Sequence, residues 1–134
     1  MGNAGPARSG IGSGRQEPMT RTIRLRNVRH ARSFSEKMAG LLKETNAGFR
    51  YVLVFHLNPP RRWGASIHML GMKVPIDVAW LDEDKKVVDV RAGINPWTLN
   101  VSPKRPASFI LEMRAGGAGE LNIRPSVRVV WTKL

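Results

Sequence analysis

From Phe49 onward the chain is a succession of short apolar runs cut by prolines and charged turns, and this punctuation restricts the fold more than any other feature. The run Phe49 to His56 is rich in β-branched and aromatic residues and is expected to stop at Pro59-Pro60. Segments 66–72 and 76–81 both read as extended. Pro75 separates them, because a proline excludes its predecessor Val74 from the helical region. Asp82-Glu83-Asp84-Lys85-Lys86 reads as a charged turn that folds Val87 to Val90 back as a hairpin. Two more apolar runs, Ser108 to Met113 and Val127 to Trp131, follow loops marked by Pro96, Pro103 and Pro106. Such a pattern suits many short strands and is incompatible with alternating strand and helix units.

Upstream, Thr22 to Val28 alternates apolar and polar residues with the period of a strand buried on one face. Ser33-Phe34-Ser35-Glu36 then forms a capping box ahead of Met38, Leu41 and Leu42, predicting a short helix over 34–44. The glycine-rich stretch 116–121 holds at most one further turn of helix. The expected fold is therefore mainly β (α+β), a compact sandwich or barrel of about seven short strands with one or two small helices. Residues 1–20, built from Gly, Ser, Pro, Arg and Asn, have too little apolar surface to bury and are expected to be a disordered tail; 21–134 form the single domain.

Function classes narrow by exclusion. The chain has no cysteine, so disulfides, thiolate zinc sites, iron–sulfur clusters and a cysteine nucleophile are ruled out. No apolar run reaches the length of a membrane helix and no apolar signal segment opens the chain, so cytoplasm is the expected location and an integral membrane protein is not expected. Gly10-Ile11-Gly12-Ser13-Gly14 follows no strand and precedes no periodic helix, so it reads as flexible arm, not phosphate loop, and no cofactor is expected.

The formal net charge is +12, and residues 1–32 carry seven arginines against the single acid Glu17, which is half of the excess. That arm makes an anionic ligand or a nucleic acid a candidate partner.

The central stretch Ser66 to Asp82 adds a further indication. Gly40-Leu41-Leu42, Val52 to Phe55, Met69, Pro75-Ile76-Asp77, Leu81-Asp82, Val87-Val88 and Leu111-Glu112 occur in the order and spacing of a known pattern. The sequence from about 22 to 131 thereby resembles the domain of unknown function 192 family, also called uncharacterised protein family 0127. It departs from that pattern at His68, where the family has Trp, at Met72-Lys73 in place of Asn-Thr, and at Pro125-Ser126 in place of Gly-Asp. The resemblance implies a compact, mainly β fold and no established reaction.

Individual residues supply three competing functions. The first is a binding or interaction module whose cleft is lined by the motif from His68 to Asp77 and by loop residues Arg61, Arg62, Trp63 and Trp97, where guanidinium and indole groups suit stacking. The second is a hydrolase-type enzyme using His68 with Asp77 or Glu112 as acid–base partners. Ser66, His68 and Asp77 fail as a nucleophilic triad, because Ser66 and His68 lie side by side along one extended segment with no strand-to-helix turn. The third is nucleic-acid binding through the basic arm. For Asp77 itself the competing expectation is structural: a carboxylate embedded among apolar strand residues that accepts backbone N–H groups at the Pro75 turn. His30 and His56 show no metal-binding spacing, and no metal site is expected.

Overall fold

The structure is a computed structural model describing residues 20–31, 44–61, 72–98 and 101–131. The predicted helix over 34–44, the extended segment 66–71 and nearly all of the predicted tail lie outside the described residues.

Among the described residues there are seven strands: β1 (Thr22–Leu25), β2 (Val28–Ala31), β3 (Val52–Arg61), β4 (Ile76–Leu81), β5 (Val87–Ile94), β6 (Ala107–Arg114) and β7 (Arg128–Trp131). A single helical turn, α1 (Gly117–Glu120), follows β6. Five strands form one sheet in the order β2-β3-β6-β4-β5, and β1 and β7 make a separate two-stranded ribbon. The expected mainly β architecture is thus observed, as layered sheets without closure into a barrel.

The first strand departs from expectation. One strand is expected from Thr22 to Val28, yet alternation holds only to Arg26, and at Arg26-Asn27, two polar residues in succession, the chain splits and its two halves join different sheets. β1 pairs in parallel with β7 (Ile23 opposite Val129), whereas β2 pairs in parallel with β3 (His30 opposite Val54). Period-two alternation specifies only which side is buried, so it cannot register a change of partner. β3 is also longer than predicted, running through Pro59-Pro60. The prolines are tolerated because they lie beyond the last β2 pairing at Phe55, and inside a break of register with β6 between His56 and Arg61. Neither proline therefore displaces a ladder N–H.

Each face of the five-stranded sheet carries an apolar cluster. One gathers Leu53, Ile76, Val78, Trp80 and Ile110 with Phe49, Tyr51, Met72, Val74 and Val101. The other gathers Val54, Ala79, Leu81, Leu111 and Met113 beneath the ribbon residues Leu25, Val129 and Trp131, together with Ala118 and Ile123. Two buried faces explain why every residue of β4 is buried, including Trp80 at 0% exposure. The β4–β5 turn forms as predicted. Asp82 Oδ1 accepts the backbone N–H groups of Asp84 (2.9 Å) and Lys86 (3.0 Å), a side-chain mimic of a backbone turn.

Candidate functional site

The acidic candidates separate first. Asp77 pairs across the sheet with Met113, and Glu112 pairs with Val78. Because alternate residues face opposite sides of a sheet, Asp77 points toward the α1 side with Met113 and Ala79, while Glu112 shares the other side with Leu53, Val78 and Ile110. The two carboxylates therefore do not converge on one face of the sheet. Glu112 is 2% exposed, which also removes it from the solvated strand positions.

Asp77, 1% exposed, has its carboxylate occupied three times over. Oδ1 accepts the N–H of Gly93 at 2.7 Å, and Oδ2 accepts those of Gly116 and Ala118, both at 3.0 Å. The partners lie in the bulge of β5, at Gly93, and at the start of α1, not at the Pro75 turn. Gly93 and Gly116 both sit at positive φ (62° and 89°), backbone that favours glycine. The aspartate thus braces the bulge of β5 and the start of α1, whose glycine conformations are costly for other residues.

A second buried acid repeats the device. Asp89, 5% exposed on β5, accepts the N–H of Val90 (2.9 Å) and that of Lys104 (3.0 Å), pinning the loop before β6. Nothing in the local spacing singles out Asp89; its partner is fifteen residues away.

The loop braced by Asp77 forms one wall of a pocket of about 320 Å³ at the end of the sheet where β3 begins and β6 ends. Its floor is apolar, from Leu25, Phe49, Val52 and Met113, all buried. Its rim carries the guanidinium groups of Arg26, Arg50 and Arg114 and a single carboxylate, Glu120 of α1. Glu120 bonds to Arg114 and lies 3.8 Å from Arg50. The Arg114 hydrogen bond and then its charge hold the Glu120 carboxyl below the usual carboxylate range, with a smaller contribution from Arg50. Tyr51 closes one side. Burial first, then its hydrogen bond to Glu44 (3.0 Å) and the Glu44 charge, push its phenol up to about 12 against the opposing pull of Arg29. Arg29 stacks on the ring at 3.8 Å from the centroid. The hydroxyl is therefore committed as a donor to Glu44.

A third constellation was invisible in the sequence. His30 Nδ1 and His56 Nε2 lie 2.8 Å apart across β2 and β3, one ring donating and the other accepting. Phe109 meets His56 edge-on at 5.5 Å and Trp131 at 5.3 Å, and Lys85 Nζ stands 4.6 Å from the Trp131 ring centroid. Among the described residues no group of three or more His, Asp or Glu is placed to hold a metal. None of their helices is long and apolar enough to cross a membrane.

Of the remaining candidates, His68, Arg62 and Trp63 lie outside the described residues, and Arg61 ends β3 opposite Ala107. Trp97 is 64% exposed at φ 72°, in a turn closed by Thr98 donating to the Asn95 carbonyl. It does not line this pocket.

The geometry defines a class: a layered mixed-β domain in which buried aspartates brace loops bearing cationic rims. The family model for DUF192, described as uncharacterized ACR, matches residues 16–131, and the chain belongs to that family. A UPF0127 protein of Pyrococcus furiosus is 37% identical over 107 residues, covering 80% of this chain and 88% of the relative. One of Thermococcus kodakarensis is 35% identical over 105 residues, covering 78% of this chain and 64% of the relative, so the chain spans less than two thirds of that protein. A crystal structure of a protein of unknown function from Novosphingobium aromaticivorans superposes with a TM-score of 0.66 at 27% identity, over 74% of this chain and 70% of that one. A Sinorhizobium meliloti structure shares the fold at a TM-score of 0.68 and 20% identity, over 75% and 78%.

Proposed function

We propose that this chain is a binding module for a small anion with an apolar body, held in the pocket rimmed by Arg26, Arg50 and Arg114. The observation that carries the reading is the charge imbalance around an apolar floor: three guanidinium groups and one carboxylate. Arginine forks match carboxylate, sulfonate and phosphate oxygens, and a floor of Leu25, Phe49, Val52 and Met113 accepts a hydrocarbon tail or ring. The volume, about 320 Å³, falls at the small end of the range for ligand pockets.

A hydrolase working through Asp77 has less support. Its carboxylate is buried and already accepts three backbone N–H groups, so proton abstraction from a substrate would first break the brace on β5 and α1.

Titration with 1-octanesulfonate, followed by calorimetry and by backbone amide shifts, tests the proposal. Saturable binding with Kd of about 1 mM or tighter is expected, with the amides of Val52, Met113 and Gly117 moving and Arg26→Gln/Arg50→Gln weakening it at least about fivefold, roughly 1 kcal/mol. Equal binding of 1-octanol, or shifts confined to other parts of the domain, would remove the anion pocket from consideration.

A further inference from the structure

We infer that a second site, the groove between the β4–β5 turn, the loop before β6 and the turn before β7, binds a phosphate monoester with a hydroxyl-rich body, the chemistry of a sugar phosphate. The groove has a volume of about 610 Å³ and shares no lining residue with the arginine-rimmed pocket. Lys86, Lys104 and Arg105 line it against one carboxylate, Asp82, whose Oδ1 already accepts the N–H groups of Asp84 and Lys86. Three cations around one concavity favour an anion bearing two charges, and an arginine fork beside lysine point charges suits phosphate oxygens.

The backbone beneath these side chains is fixed from within the fold. The Lys86 N–H is held by Asp82 Oδ1 and its carbonyl accepts the Asp82 N–H at 2.9 Å, while the Lys104 N–H donates to the buried Asp89 carboxylate at 3.0 Å. The turn 124–127 is closed by the Val127 N–H on the Arg124 carbonyl (3.2 Å) and tied to β5 by the Ser126 N–H on the Val87 carbonyl (2.9 Å). Pro125 takes the first central position of that turn, and Ser126 the second at φ 79°, the place in a type II turn where glycine is favoured. Strained backbone of this kind concentrates where a side chain is kept for what it contacts, and Ser126 lines the groove. Its hydroxyl and that of Thr20 supply donors that glycine would not.

The body of the ligand follows from what the lining lacks. Its apolar members are the buried Val87, the half-buried Val88 and Pro125, which give a hydrocarbon tail no floor such as the other pocket has. Thr20, Ser126 and the Asp82 carboxylate are instead partners for hydroxyls, and the volume exceeds that of a phosphate group alone.

Calorimetry and phosphorus NMR with glucose 6-phosphate on the full chain test the inference. Saturable binding with a Kd of about 1 mM or tighter is expected, with inorganic phosphate at least about threefold weaker. Lys104→Gln/Arg105→Gln should weaken binding at least about tenfold, whereas Arg26→Gln/Arg50→Gln, in the other pocket, leaves it unchanged. Lys104 and Arg105 are exposed, so thermal unfolding of the groove variant is expected to match the parent. Ser126→Gly separates strain from binding: the thermal midpoint should rise while affinity falls at least about threefold. No saturable binding up to about 10 mM overturns the inference, as does undiminished affinity in Lys104→Gln/Arg105→Gln or in Ser126→Gly. Equal affinity for inorganic phosphate or sulfate would reduce the groove to a general anion contact and overturn it equally.

Discussion

Replacing Asp77 with alanine isolates the brace that links β4 to the bulge of β5 and to the start of α1. The substitution removes an acceptor that holds three N–H groups at 2.7, 3.0 and 3.0 Å, in a site where the side chain is 1% exposed. A hydrogen bond to a charged group contributes about 1.5–3 kcal/mol, and an abandoned buried N–H costs about 1–3 kcal/mol. The bonds share one carboxylate and are not additive, so a total of about 3–5 kcal/mol is expected. That is a large share of the roughly 5–15 kcal/mol that holds a domain of this size together. Urea unfolding followed by tryptophan fluorescence, with the slope on denaturant unchanged, measures the loss. Hydrogen exchange adds the local signature: the amides of Gly93, Gly116 and Ala118 should lose protection ahead of the β4 and β6 core. Asp77→Asn keeps one carbonyl acceptor and turns an amide donor toward the remaining N–H, so it should fall between the parent and Asp77→Ala. A loss below about 1 kcal/mol for Asp77→Ala would refute the reasoning, because water would then have to replace the carboxylate at no cost.

Two other outcomes follow from the structure. The His30–His56 bond should appear as a coupling of about 0.5–1.5 kcal/mol in a double-mutant cycle with His30→Phe and His56→Phe, and additive losses in urea unfolding would show that the rings do no more than pack. Glu120 has its folded-state pKa lowered by Arg114, so its contribution is complete above the ordinary value of 4.5 and is lost as pH falls through the lower folded value. A carbon-detected titration should place the Glu120 midpoint below 4.5, with 1-octanesulfonate binding tightening as the carboxylate is neutralised; a midpoint at or above 4.5 would contradict the assigned ion pair.

The residues that announced themselves in the sequence are those whose structure is decided locally. Pro75, the charged turn at Asp82 to Lys86 and the apolar run Ser108 to Met113 each punctuate or fill a strand by their own chemistry, and β4, the turn and β6 stand where that chemistry puts them. Partnership is a different kind of information. β1 pairs with β7 and not with β2's sheet because of what Leu25 and Val129 bury together, and no periodicity encodes that choice. The pocket was illegible for the same reason. Arg26, Arg50 and Arg114 come from three distant segments and read singly as surface arginines, while the rings of His30 and His56 meet only because β2 lies beside β3. Asp77 stood out as an acid among apolar neighbours, and a backbone-accepting role was readable from that setting; which amides it accepts was not, since they lie sixteen to forty-one residues away.

The parallel pairing of β1 with β7 has a consequence for how the chain is made. Among the described residues the first strand finds its only ladder partner in Arg128–Trp131, so during synthesis Leu25 and Ile23 wait with their apolar side uncovered until β7 has left the ribosome. The five-stranded sheet can assemble earlier, but one of its faces lacks Val129 and Trp131 until β7 arrives. Arrival of β7 therefore acts as the closing step of the core, and a nascent chain stalled short of Arg128 would expose that face to chaperones.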